Sequence, residues 1–272
     1  MAPDRPVVRI WGEPEAQSLV FLHGLGLLGP NVTAEPAEAW ASSGFRVIAP
    51  DLPGFGGSSA VAPEGYLPSA LARELLHVLP DRFALVGFSW GGTIGCHMVA
   101  QAADRISALC LVDVGYQTPP ADPASYEDQL ARARDEDADM RFSSPEAFLE
   151  AARPHFSARI SDEALLASMR DEDGELVPQL TPEVYAGAMH GVEIEPPRAL
   201  HDALRDAGIP VLLLVAGRPP DERRASEVEG FAAAVPSAEI LHFPDAGHSV
   251  LLDSPDEAIA AIGEWLSRSL RR

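Results

Sequence analysis

Short apolar runs recur along this chain with helical patterns between them, and that alternation limits the fold more than any single residue does. In the first half the runs are Val7 to Trp11, Ser18 to His23, Arg46 to Ala49, Phe83 to Val86 and Ala108 to Asp113. Between them, segments such as Leu67 to Leu79 and Thr93 to Ala103 carry apolar residues at helical spacing. Such alternation implies a mostly parallel sheet covered by helices on both faces, the α/β class. The pattern resumes late in the chain: Val211 to Ala216 and Glu239 to Phe243 read as strands. Pro255 to Leu270 reads as a closing amphipathic helix, opened by Ser254-Pro255.

From about Tyr116 to Arg198 the strand pattern disappears. This stretch reads as helices broken by proline, acidic clusters and turn signals, with 18 acids against 7 arginines. The expected organisation is one sheet domain made of residues 1–115 and 199–272, with 116–198 as a helical insertion between its halves. No flexible linker brackets the insertion, which argues against a separate module.

Composition narrows the partners. With 272 residues, 46% of them hydrophobic, the chain can bury a large core. Its net charge is −21, and every base is arginine. That charge disfavours nucleic acid and anionic membrane surfaces, whose phosphates it repels, and leaves small molecules open. Two cysteines, Cys96 and Cys110, cannot build a disulfide framework for a domain of this size. The N-terminal MAPDRPVVRIWG lacks a continuous apolar stretch, and no uncharged apolar stretch of about 18 residues that could span a bilayer is expected. A soluble cytoplasmic protein is expected, and no oligomeric state is legible.

Three segments carry chemistry. Gly87-Phe88-Ser89-Trp90-Gly91 fits G-x-S-x-G, with an apolar strand before it and a helical segment after it. A reversal that tight strains the serine backbone, and residues larger than glycine two places either side would collide. The helix beginning there aims its amides at the place where negative charge develops on an attacked carbonyl. Phe21-Leu22-His23-Gly24-Leu25-Gly26 ends an early strand, so the Leu25 and Trp90 amides are candidates for an oxyanion hole. Asp245-Ala246-Gly247-His248-Ser249 follows the last strand, where His248 can swing over the sheet edge and act as base toward Ser89. His23, Gly24, Trp90 and His190 are the candidates for touching substrate, with His23 read first as a brace for its loop. Phe142, Phe148, Phe156, Met169, Tyr185 and Met189 could line a pocket roof, although at helical spacing such residues are more often core.

Together, HGLG, GFSWGG and AGHS, with Asp51-Leu-Pro-Gly-Phe-Gly-Gly-Ser58 as a further glycine-rich loop, resemble the α/β-hydrolase superfamily across nearly the whole chain. The resemblance implies a cap over the site. Serine at position 89 sets the chain apart from the haloalkane dehalogenase and epoxide hydrolase branches, whose nucleophile is aspartate. It also implies an acid partner for His248, usually in a Gly-x-x-Asp setting after the strand before the histidine strand. Here that stretch is Gly217-Arg218-Pro219-Pro220, so proline takes the fourth place and Asp221 comes one step late. The preferred alternative is Asp113, at the end of the strand after the nucleophile's helix, where some members carry their acid. A charge ending an apolar strand is costly unless paired, and His248 would pair it.

The implied activity is hydrolysis of an ester or lactone of a small, mostly neutral molecule through an acyl-enzyme, with no metal or organic cofactor. A carbon–carbon bond hydrolase, a cofactor-free haloperoxidase, a non-hydrolytic biosynthetic enzyme and a binding module could all use the same residues.

Overall fold

The computed structural model describes residues 6–271 except 27, 138, 139 and 157. The first five residues, part of the N-terminal stretch read above, therefore lie outside it.

In chain order the elements are β1 (Val8–Trp11), β2 (Gln17–Leu22), α1 (Ala34–Ser42), β3 (Phe45–Pro50), α2 (Pro68–Val78), β4 (Phe83–Phe88), α3 (Trp90–Ala102) and β5 (Ile106–Val112). There follow α4 (Tyr126–Asp137), α5 (Pro145–Ala152), α6 (Asp162–Leu166), β6 (Met169–Glu172), β7 (Glu175–Pro178), α7 (Pro182–Ile194) and α8 (His201–Asp206). The chain closes with β8 (Val211–Ala216), α9 (Glu222–Ala234), β9 (Ala238–Phe243), α10 (Val250–Asp253) and α11 (Pro255–Ser269).

Seven strands form one sheet in the order β1-β3-β2-β4-β5-β8-β9, and only β1 runs antiparallel to its neighbour. Central strands are buried on both faces, which is why they read as unbroken apolar runs: all six residues of β8, Val211 to Ala216, are buried. Alternate side chains go to opposite layers. Val20, Leu22, Leu109, Leu111 and Leu213 join the layer that holds residues of α2, α3, α8 and α9. Leu19, Phe21, Ala108, Cys110 and Leu212 join the layer under α1 and α11. There Trp40 Nε1 donates to the Ile259 carbonyl at 3.0 Å and ties the two helices together.

The segment between β5 and β8 differs from its sequence reading in one respect. Beside helices it contains a two-stranded antiparallel hairpin, β6–β7. Its turn is Asp173-Gly174, with φ of 55° and 87°. Positive φ at both central residues is what a two-residue hairpin loop requires, and Asp-Gly supplies it. Each strand is only four residues long, β6 reading Met-Arg-Asp-Glu and β7 Glu-Leu-Val-Pro, too short for the periodicity that identifies strands to show. Helix α4 packs along α7, while α5, α6 and the hairpin enclose a small core of Phe148, Leu165 and Met169 that reaches Leu28 of the sheet domain. Among the described residues no helix is long and apolar enough to cross a membrane.

Candidate active site

Ser89 sits between β4 and α3 at φ 50°, ψ −118°, a conformation that side chains rarely adopt. The turn is held there by its neighbours. The Ser89 amide donates to the Val112 carbonyl at 3.2 Å, and the Ser89 carbonyl accepts from Gly92 and Thr93 at 2.9 and 3.1 Å. The flanking glycines are a steric requirement. A Cβ at Gly87 would lie 2.5 Å from the Gly92 Cα, and one at Gly91 would strike the Leu22 and His23 carbonyls. Gly24 has the same constraint from the other side, since a Cβ there would lie 2.8 Å from the Phe88 ring.

His248 follows β9 and stacks against Phe88 at 5.3 Å between ring centroids. Its Nε2 lies 2.8 Å from Ser89 Oγ, and its Nδ1 lies 2.7 Å from Asp113 Oδ2. The relay runs from open to closed: the His248 side chain is 56% exposed, the Asp113 side chain 3%. Asp113 also has a left-handed backbone, φ 50°, so two of the three described non-glycine residues with positive φ belong to this site. Its other oxygen, Oδ1, accepts from Tyr116 Oη at 2.6 Å and from the Ala216 amide at 3.0 Å. Burial alone would raise the Asp113 pKa. The hydrogen bonds from His248, Tyr116 and Ala216 outweigh it and hold the carboxyl below its ordinary range.

Two lobes of cavity meet at Ser89 and His248. The larger, about 430 Å³, is bordered by Leu25, Trp90, Gln117, Tyr185, Met189 and Glu193 among others. The smaller, about 130 Å³, is bordered by Gly24, Leu25, Phe88, Phe156 and Leu252. Leu25 thus faces both lobes. Trp90 borders the larger one from the first position of α3, its ring turned toward Phe55 and Tyr66.

Other expected site residues are elsewhere. Asp221 caps α9, accepting from the Arg223 amide at 2.9 Å, while both ring nitrogens of His248 have other partners. It is not the partner of His248. His23 is fully buried, with Nδ1–H donating to the Gly24 carbonyl at 2.9 Å and Nε2 accepting from the Leu52 amide at 3.0 Å. Burial pulls its pKa down to about 4. It braces two loops and does not border either lobe, so the substrate contact suggested for it is withdrawn. His190 is corrected likewise: Nδ1–H donates to the Ala124 carbonyl at 2.9 Å, off the face of α7 that carries Tyr185 and Met189. Of the candidates for a pocket roof, Phe142, Phe148 and Met169 belong to the small core of the inserted segment.

Sequence reading missed Val192, Gln117 and Thr118, which border the larger lobe, and Tyr116, which donates to Asp113. Val192 was recoverable, being at i+7 from Tyr185 on one helical face. Gln117 and Thr118 lie in an irregular turn with no period to betray them.

A mostly parallel sheet with a serine on a left-handed turn between strand and helix defines a protein of the α/β-hydrolase fold. The chain belongs to the alpha/beta hydrolase family, whose model matches residues 19–262. It is similar to the pimeloyl-[acyl-carrier protein] methyl ester esterase of Aromatoleum aromaticum, 28% identical over 258 residues, covering 90% of this chain and 96% of that protein. The protein of the same name from Chromobacterium violaceum is 29% identical over 262 residues, covering 93% and 95%. Among solved structures, the thioesterase domain from the curacin biosynthetic pathway superposes with a TM-score of 0.74 at 21% identity over 94% of each chain, a likeness of fold.

Proposed function

We propose that the protein is a serine hydrolase that cleaves a carboxylic ester, or a lactone, of a small and mostly neutral molecule. The observation that carries this reading is the unbroken relay from Ser89 Oγ through His248 to Asp113, at 2.8 and 2.7 Å, opening on a cavity. Whole-length relatives named as methyl ester esterases support the reaction class.

In this mechanism Ser89 Oγ attacks the carbonyl carbon while His248 Nε2 takes its proton. Asp113 fixes the tautomer and stabilises the imidazolium. The Leu25 and Trp90 amides receive the oxyanion; one such donor is worth about 2.7–4 kcal/mol in comparable sites. His248 then gives its proton to the departing alkoxide. Water, deprotonated by the same imidazole, attacks the acyl-serine and frees the acid.

Residues 116–198 act as a cap over a core formed by 1–115 and 199–272, supplying Tyr185, Met189 and Glu193 to the larger lobe. Four of the cap's seven arginines pair with cap carboxylates: Arg134 with Glu183, Arg141 with Glu172 and Glu175, Arg153 with Asp162, and Arg170 with Glu172. With 18 acids against 7 arginines, the cap keeps a negative excess whether or not those pairs form, and that excess repels anionic substrates. Cys96 and Cys110 are buried free thiols, which supports a reducing compartment such as the cytoplasm.

A panel of neutral p-nitrophenyl esters, lactones, acyl-CoA thioesters and a carrier-bound methyl ester, with Ser89→Ala as blank, tests this. Neutral free esters should turn over fastest, and the blank should lose about 10⁶-fold. Preference for the anionic thioesters would refute the electrostatic part. Equal rates in the blank would refute the acyl-serine.

A further inference from the structure

The acid of the relay is more tightly held than its role toward His248 alone demands. Asp113 Oδ2 faces the imidazole, while Oδ1 is taken twice, by Tyr116 Oη at 2.6 Å and by the Ala216 amide at 3.0 Å. Tyr116 is itself 2% exposed, so packing fixes the direction of its hydroxyl. The turn that carries it closes on itself. Gln117 Nε2 donates to the Asp113 carbonyl at 3.0 Å, the Gly115 amide donates to Gln117 Oε1 at 3.0 Å, and His201 Nε2–H donates to the Gly115 carbonyl at 2.7 Å. Beside the phenol stands Arg224 of α9, anchored to the Ala216 and Pro219 carbonyls at 3.1 and 2.9 Å.

We propose that Tyr116 is a positioning residue for the His248 base: by occupying Oδ1 it leaves Asp113 one oxygen for the imidazole and draws part of the carboxylate's charge away from that oxygen. The proposal rests on the ester-hydrolase reading of the site.

Two physical consequences follow from the geometry. A carboxylate with one free oxygen can rotate and offer the imidazole either atom at poor angles; the Tyr116 bond, with the Ala216 amide, stops that rotation. The hydroxyl also spreads the negative charge, because a donor on one carboxylate oxygen lowers the charge on the other. Burial pushes the Tyr116 pKa up, and its bond to the Asp113 carboxylate pushes it further, so the phenol stays a donor throughout the working range. Among the described residues, the titratable groups bonded to the Asp113–His248 pair are Tyr116 from the same turn, with Arg224 beside its phenol, and Ser89 from the β4–α3 turn. Asp253 of α10 is tied to the Gly247 amide at 2.7 Å.

The test is Tyr116→Phe, read by the rate at which a fluorophosphonate labels Ser89 between pH 5 and 9, and by kcat and KM on the fastest neutral ester. Labelling rate and kcat should fall roughly tenfold, with KM within about twofold. Without the hydroxyl, more charge rests on Oδ2, the imidazolium is stabilised, and the acid limb of the labelling profile moves up by about half a pH unit. In an Asp113→Asn background the same change should cost less than about twofold, because the tyrosine acts through the carboxylate. Should Tyr116→Phe not fold, 3,5-difluorotyrosine at position 116 keeps the ring, donates more strongly, and should move the limb downward. An unmoved limb in whichever variant folds, or a full tenfold loss in the Asp113→Asn background, overturns the proposal. Wild-type protein that resists labelling altogether overturns the hydrolase reading and this proposal with it.

Discussion

Two strand ends lie side by side in the sheet, each followed by an aspartate that could have served His248, and they end in different ways. At the end of β5 the chain turns left-handed at Asp113, whose amide donates to the Leu214 carbonyl at 2.8 Å and whose carboxylate accepts from Ala216. Asp113 thus leans across β8, toward β9 and the histidine beyond it. At the end of β8 the chain is pulled the other way. The Gly217 amide donates to the Phe243 and Ala246 carbonyls at 2.9 and 3.1 Å, and the Arg218 amide donates to Ala246 at 2.9 Å. A Cβ at Gly217 would strike the Pro244 backbone. That loop is therefore clamped to its neighbour, and Asp221 emerges exposed at the start of α9. A buried carboxylate persists only where donors converge on it, and β5 is the end where three do.

The comparison breaks most visibly in turnover. Asp113→Asn should lower kcat on a neutral ester by about 10⁴-fold, because the amide cannot stabilise the imidazolium and favours the wrong tautomer. Asp221→Asn should leave kcat within about twofold. If the two losses were exchanged, the acid would belong to β8 in solution, and the clamp on its loop would have to open.

A smaller effect sets the end of β5 against the end of β2, where His23 is buried. Asp113 has a lowered folded pKa, so its contribution to stability is complete above the unfolded value of about 3.9 and disappears as pH falls through the lower folded value. His23 is a base whose folded pKa is depressed from 6.5 to about 4. Between those values the unfolded chain binds the proton and the folded chain does not, so stability rises with pH across that window. The full difference amounts to about 3 kcal/mol. Urea unfolding at pH 6.5, 5 and 4 should show stability falling toward acid, and His23→Gln should flatten that slope while leaving the loss below pH 4. An equally steep slope in the variant would mean that another group takes up the proton.

How far the sequence alone reaches follows from what fixes each residue. Ser89 and its glycines are legible because local sterics dictate them: no neighbour larger than hydrogen fits at 87 or 91. The buried strands are legible because burial on two faces leaves no polar positions. Asp113 could be ranked but not separated from Asp221, since the choice depends on bonds made by Ala216 and Gly217 a hundred residues away. Tyr116 was invisible for the same reason, its partner being a side chain whose own direction comes from the fold. The β6–β7 hairpin carried an Asp-Gly turn signal, but strands of only four residues are too short to set a visible alternation on either side of it.

The smallest expected effect gives the β8 end its own test. Asp221 is the N-cap of α9, and its side chain accepts from the second amide of the helix, Arg223 N, at 2.9 Å. Removing such a cap leaves a helical donor to water, and Asp221→Ala should cost about 1 kcal/mol in urea unfolding. Asp221→Ser keeps an oxygen able to accept the same bond and should recover most of that loss. The Ser89 labelling profile should be the same in both variants, limb and plateau alike, because the cap is not in contact with the imidazole. A shift in that limb upon Asp221→Ala would show that the β8 loop communicates with His248, and would turn the two strand ends from alternatives into partners.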